Sequence, residues 1–413
     1  MGLVKGFEVN VVIFVGLALL SYGAKGARRG LVNNVPAVFD VTKFGAVADG
    51  QTECAQAFIQ TWNAACQSTG PATVLIPKGT YLSGEVFFQG PCTAKPITVE
   101  VQGTLLAQTD LSMFENGVWF TVSNIDGLVM RGGGTFNGQG EQAWKHNACG
   151  TKASCENRLA PSLVFQAVNN SVLQDINIVN SKGFHMKIGR CNSFNVHNLH
   201  ITAPGDSPNT DGIHLSDSDH ISITDTLIGT GDDCISVGEG STNINISRIT
   251  CGPGHGISVG SLGKRQDEGD VRGVLVTNCT LTNTTNGARI KTWHNSPRTQ
   301  ASGIVFDNIV LNNVRNPICI DQNYGSKKKQ GSSSVKISDV HFRNIRGTTT
   351  TNEAVSLRCS TSMPCEGIEL VDINLAFVGI TNPKIVLPFS AACENAKAAF
   401  LGKQNPAPCK FGI

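Results

Sequence analysis

The feature that most constrains this chain is a repeat of short alternating strands through its middle and C-terminal parts. The segments "LQDINIVNS", "NVHNLHITA", "ITDTLIGTG", "NISRITCGP", "VTNCTLTNT", "FDNIVLNNV", "ISDVHFRNI" and "LVDINLAFV" share one rhythm: a strand, a polar bend, another strand. Taking Asp175, Asn198, Asp225, Arg248, Asn278, Asn308, Asp339 and Asp372 as equivalent gives steps of 23, 27, 23, 30, 30, 31 and 33 residues. A period of this size, built from short strands without helical patterning, predicts an all-β solenoid, a right-handed parallel β-helix. Successive coils would stack about 4.8 Å apart, so inward Ile, Val and Leu form columns, and so do outward residues. A β-propeller would want units near 40 residues with periodic aromatic dipeptides, which the sequence lacks.

A solenoid exposes strand edges at its ends, and the sequence provides for both. In "TECAQAFIQTWNAACQ", Ala55, Phe58, Ile59, Trp62, Ala65 and Cys66 fall on one helical face, predicting an N-terminal capping helix. The tail "CENAKAAFLGKQNPAPCKFGI" is expected to guard the other end. Ahead of these, Lys5 precedes the apolar run "VNVVIFVGLALL" and the small residues of "SYGAKGA". That run is too short for a membrane span and suits an export leader, giving a signal peptide over 1–26 and one domain over 27–413.

Export accounts for the 14 cysteines, all beyond residue 50 and without metal-ligand spacing. The expected disulfides are Cys54/Cys66, Cys149/Cys155, Cys359/Cys365 and Cys393/Cys409, with Cys234/Cys251 joining adjoining coils. Sequons at Asn169, Asn245, Asn278 and Asn283 suit glycosylation on that route. Net charge is only +2, which leaves no field to attract nucleic acid or a membrane surface. Any anion must be bound by a local site.

That site is legible in one row. The strands "GIHLS", "CISVG" and "GISVG" align through Ile213, Ile235 and Ile257 with steps of 22 and 22. Two residues ahead of each isoleucine stand Asp211, Asp233 and His255, with Asp232 beside Asp233. In the next unit Ile290 continues the apolar column while Arg289 and Lys291 share the opposite face, expected also to hold the small residues Gly212, Cys234 and Gly256. A coil further, Tyr324 ends the row. Strict alternation would turn position 211 inward, so the acidic residues are expected at a bend where the pleat breaks.

Asp and Asn are common in such bends as backbone caps, and Asp217, Asp219 and Asp225 are read that way. "GDD" alone supplies too few oxygens for a calcium site, so no metal and no cofactor are expected. The coincidence of three carboxylates, an imidazole, two cations and a phenol points instead to acid–base chemistry. Crowded carboxylates cannot all ionise, so one keeps a proton while the others polarise water, the equipment for glycoside hydrolysis. The cations would hold an anionic sugar, hence a uronic acid.

In "NTDGIH", "GTGDDCISVG", "GPGHGISVGSLG" and "ARIKTW" the chain resembles the polygalacturonases, glycoside hydrolase family 28, over essentially its whole length from "FDVTKFGAVADGQTE". The resemblance implies hydrolysis of α-1,4-linked galacturonan with inversion, Asp232 as general acid, and Asp211 and Asp233 as activators of water. It implies further that His255 tunes the acid and that Arg289, Lys291 and Tyr324 bind substrate. Coil spacing alone would sit nearer the roughly 5–5.5 Å carboxylate separation of retaining enzymes, so inversion comes from the resemblance. "VLIPKGTYLSGEVFFQGPC" and "VEVQGTLLAQTDLSMF" resemble the plant pollen-type exopolygalacturonases, implying a secreted, monomeric, cell-wall enzyme releasing single units from the non-reducing end of polygalacturonate. Segments 261–273 and 324–334 are the candidates for blocking one end of the cleft. The competing readings are an endo-acting hydrolase, a calcium-dependent lyase on the same fold, and an inactive wall-binding protein.

Overall fold

The computed structural model describes Gly2 and residues 35–145, 159–325, 332–379 and 388–409. The expected leader and the Cys149/Cys155 pair lie outside these residues, Gly2 apart. From Val35 onward the chain forms one compact unit. Its described strands all join one parallel ladder of 32, a right-handed parallel β-helix.

The sheet that carries the site runs through Leu163–Gln174, Met186–Gly189, Ile213–Ser216, Ile235–Val237, Ile257–Leu262, Asn286–Trp293, Asn316–Tyr324 and Glu353–Arg358, each paired in parallel with the next. Two core columns follow from that register. Met186, Ile213, Ile235, Ile257, Ala288, Ile318 and Val355 form one; Ile188, Leu215, Val237, Val259, Ile290, Ile320 and Leu357 form the other, all buried. Ile290 therefore stacks on Val259, while Ala288 continues the Ile213–Ile235–Ile257 column. Each fully buried aliphatic side chain contributes about 1.5–3 kcal/mol relative to exposure.

The polar bends are left-handed turns. Asp175, Asn198, Asp225, Arg248, Asn278, Asn308 and Asp372 have φ between 51° and 57°, a region that Asp and Asn enter at least cost. Side chains bond along the column: Asn308 Nδ2 donates to Asn278 Oδ1 at 2.7 Å, and Arg248 donates from Nε and Nη2 to Asp225 at 2.6 and 2.7 Å. Asp339 does not belong to this column. The register places Asn344 after Asn308 and ahead of Asp372, whereas Asp339 aligns with Gly303 in a second left-handed kink. Both bends accept the same residue types, so composition could not separate them.

The capping helix spans Ala55–Gln67 and buries Phe58, Trp62, Ala65 and Cys66. Trp62 stacks on Phe88 with centroids 4.5 Å apart and donates from Nε1 to Gln89 O at 3.0 Å. Cys66 bonds Cys92, not Cys54, which remains a buried free thiol hydrogen-bonded to backbone carbonyls. The helix turns its Cys66 end toward the next coil, so nearness in sequence misassigned the partner. Cys234–Cys251, Cys359–Cys365 and Cys393–Cys409 form as expected. The C-terminal tail ends the solenoid by adding strands: Ser390–Glu394 and Ala396–Asn405 pair in parallel with the preceding coil.

Candidate active site

The row of acidic residues sits at the bend ahead of each strand. Backbone amides tie the coils together there: Gly212 N donates to Asp233 O at 2.9 Å, Cys234 N to Gly256 O at 2.8 Å, and His255 N to Asp232 O at 2.7 Å. Gly212 and Gly256 do not open room in front of the strands. A Cβ on Gly212 would lie 2.5 Å from Cys234 O, and one on Gly256 would lie 2.0 Å from Asn286 O. The glycines are required for the close approach of coils. Cys234 is buried in its disulfide with Cys251 rather than lining the face. The floor is the outward column His214, Ser236, Ser258 and Arg289, which the register stacks in that order.

The three carboxylates differ in burial and partners, and Asp233 and Asp211 are shifted in opposite directions. Asp233 is fully buried; its Oδ1 accepts from Arg289 Nη2 at 2.6 Å and Ser258 Oγ at 3.1 Å, its Oδ2 from Lys291 Nζ at 2.7 Å. Burial pushes this carboxyl up, but Arg289 and Lys291 outweigh it and hold Asp233 below the ordinary value. Asp211 is also buried and accepts from Ser236 Oγ at 3.0 Å and Asn209 Nδ2 at 3.3 Å. Burial, then the charges of Asp232 and Asp233, raise it well above the usual range. Burial first and crowding second thus lift Asp211, although Asp233 is the more deeply buried of the two. Asp232 is the most accessible of the three, and its Oδ1 meets His255 Nδ1 at 2.8 Å. That hydrogen bond raises His255 despite its burial.

Arg289 and Lys291 share the outer face as expected, yet neither is a loose surface cation. Arg289 Nε also donates to Ser258 Oγ at 2.9 Å, and Lys291 Nζ lies 5.1 Å from the Tyr324 ring centroid. Tyr324 packs edge-on against Trp293 at 5.2 Å. Asp217, Asp219 and Asp225 stand away from the cleft lining; Asp219 accepts from Thr242 and Asn243, and Asp225 from Arg248.

Asp211, Asp232, Asp233, Lys291 and Tyr324 of the row line a cleft of about 270 Å³, shared with Phe184, Asn209, His214, Ser236 and Trp293; His255 and Arg289 are not part of that lining. Segment 261–273 forms part of its wall through Ser261, Lys264, Arg265 and Glu268. Glu268 accepts from the backbone amides of Lys264 and Arg265 at 2.9 Å each, and Arg265 pairs with Glu239. Of segment 324–334, residues 326–331 lie outside the described ones. A cavity of about 260 Å³ shares Phe184 and Asn209 with the cleft, and Arg289 lines a separate groove of about 700 Å³.

Ligand atoms of Asp232, Asp233 and His255 lie within 4.8 Å of one another, the spacing of a metal site. Two cations already hold both oxygens of Asp233. A divalent ion there would meet their charge at hydrogen-bond range, so the donor set does not fit one. Sequence reasoning missed His214, Ser236 and Ser258; the signal was their place one residue after each aligned isoleucine or, for Ser236 and Ser258, the repeated "ISVG".

Asp211, held above the ordinary carboxylate value, and Asp233, held below it beside a fixed pair of cations, can carry proton transfer to and from an anionic sugar. The comparisons agree with that chemistry. An exopolygalacturonase of Arabidopsis thaliana is 49% identical over 98% of this chain and 97% of its own length. Two solved structures share the fold. An exopolygalacturonase of Thermotoga maritima has a TM-score of 0.72 at 18% identity, over 88% of this chain and 91% of its own. An endo-xylogalacturonan hydrolase of Aspergillus tubingensis has a TM-score of 0.76 at 22% identity, over 89% of this chain and 100% of its own. The model of the glycosyl hydrolases family 28 matches residues 66–402, and the chain belongs to that family.

Proposed function

We propose that this chain is a secreted exopolygalacturonase that hydrolyses α-1,4-galacturonosyl bonds of polygalacturonate with inversion, from the non-reducing end. The observation that supports the reading is the grouping of Asp211, Asp232 and Asp233, with His255 on Asp232 and with Arg289 and Lys291 on Asp233. Asp232, accessible and paired with His255, serves as general acid to the leaving oxygen. Asp211 and Asp233 orient and deprotonate the attacking water. Lys291, Arg289 and Tyr324 receive the galacturonate carboxylate, with Lys291 and Arg289 dividing their charge between it and Asp233.

Exo action is supported by the 49% identical relative, an exopolygalacturonase. Export through the 1–26 leader, action at the cell wall as a monomer, and glycosylation belong to the same reading. The exposed bend positions of Asn278 and Asn283 favour modification there. Product chromatography from polygalacturonate tests it. Galacturonate alone, with little early loss of viscosity, is expected. Oligomers accumulating first would make the enzyme endo-acting, and products absorbing in the ultraviolet would make it a lyase.

A further inference from the structure

Two of the three carboxylates have an imidazole assigned to them, and only one of these pairings is direct. Asp232 meets His255 at 2.8 Å. Asp211 is joined to His214 through a serine: Ser236 Oγ donates to Asp211 Oδ2 at 3.0 Å and lies 2.8 Å from His214 Nδ1. The register explains the line, because His214 and Ser236 are cross-coil neighbours in the outward column. Asp211 and Ser236 are buried, whereas His214 is half-buried and lines the cleft. All three line the cleft, and the line runs from the buried Asp211 and Ser236 to the more accessible His214. His214 is held in place by the Phe184 ring at 5.3 Å. A Cβ on Gly238 would stand 3.1 Å from His214 Cε1, so the glycine leaves space for the imidazole.

We propose that Ser236 and His214 form a proton relay that empties Asp211 after each turnover. The inference rests on the proposed role of Asp211 in activating water. During attack the water oxygen bonds to the anomeric carbon, one water proton moves to Asp211, and the leaving oxygen takes the proton of Asp232. Asp211 Oδ2 then passes its proton to Ser236 Oγ while the serine's own proton passes to His214 Nδ1. The result is a carboxylate and an imidazolium, with no other bond changed. His214 releases the proton into the cleft. Asp232, Asp233 and Lys291 face Asp211; Glu239 and, one coil back in register, Lys187 face His214. Glu239 favours arrival of positive charge at His214, and Lys187 opposes it. Neither Ser236 nor His214 need touch the sugar, so both are relay residues rather than catalytic ones.

The test is kcat and KM on polygalacturonate for wild type, Ser236→Ala, His214→Gln and His214→Ala, with thermal unfolding as the folding control. His214→Gln keeps an amide donor toward Ser236 but cannot take up a proton. The relay predicts kcat lower by about tenfold or more in all three variants, below the roughly 10²–10⁴-fold contribution of a directly acting acid or base. KM should stay within about twofold of wild type. Added imidazole should restore activity to His214→Ala and leave Ser236→Ala unchanged. Wild-type kcat in Ser236→Ala or in folded His214→Gln would overturn the relay. A wild-type chain releasing no galacturonate would instead defeat the proposed function, a separate outcome.

Discussion

Asp233 Oδ2 and Lys291 Nζ lie 2.7 Å apart, with 1% and 8% of their side chains exposed. Removing Lys291 leaves one buried oxygen of Asp233 without its partner and Arg289 as the remaining cation, at a cost below the roughly 3–5 kcal/mol of a fully broken buried pair. Lys291→Ala is therefore expected to lose activity and to destabilise the fold, whereas truncating an exposed substrate cation would spare stability. Denaturant unfolding checks this: an unchanged midpoint would show that Lys291 is free to serve substrate alone.

The pH dependence of stability separates Asp233 from Asp211. The folded value of Asp233 is depressed, so its contribution is present above the ordinary carboxylate range and is lost as pH falls through its lower folded value. Asp211 is raised, so its fold contribution is favourable when protonated and falls as pH rises from the ordinary value through the raised one. Asp211→Asn should thus abolish activity yet raise the melting temperature at neutral pH, with the gain shrinking toward pH 3. Asp233→Asn should lower the melting temperature at neutral pH. Melting curves across pH 3–8 measure both signs, and a destabilised Asp211→Asn at neutral pH would contradict the assignment.

Cysteine connectivity gives a chemical check on the N-terminal cap. Alkylation of denatured, unreduced protein should label Cys54 and leave Cys66 and Cys92 linked. Cys66→Ser should cost about 3 kcal/mol, as expected for opening a loop of this size. A peptide joining Cys54 to Cys66 would reverse the pairing.

The cap itself rests on Trp62, fully buried against Phe88. Trp62→Ala should cost about 3–5 kcal/mol and expose the first coil, visible as aggregation during thermal unfolding. A soluble variant of unaltered stability would mean the helix is dispensable as a cover.

The legibility of this molecule in its sequence follows coil length. Between Ile213 and Ile257 the coils are equal, at 22 residues, so counting alone placed Asp211, Asp233 and His255 in one row. Where the coil lengthens after Asn308, the same counting chose Asp339 over Asn344, since both occupy left-handed bends. Disulfides between strands of fixed register were readable, as with Cys234–Cys251; the helix-borne Cys66 was not, because helix rotation decides its partner. The serines of the floor are not legible in the sequence, because a hydroxyl on an outward strand position carries no chemistry until its neighbours are placed. Only the three-dimensional register showed Ser236 bonded to Asp211 and Ser258 bonded to Asp233. The sequence argument expected crowding to leave a proton on the carboxyl that donates it; the group raised is Asp211, one of the two assigned to water, and burial comes ahead of the neighbouring charges as the cause.

The central claim is that Asp232 protonates the leaving oxygen while Asp211 and Asp233 act on water. The most direct measurement is turnover of a galacturonide with an activated leaving group by Asp211→Asn, Asp232→Asn and Asp233→Asn, alongside polygalacturonate. All three variants should be at least about 10²-fold slower on the polymer. Asp232→Asn should recover on the activated substrate, which needs little protonation, and should lose the alkaline limb of its pH profile, while the other two stay inactive. Recovery of Asp211→Asn or Asp233→Asn in place of Asp232→Asn would contradict the assignment of the acid.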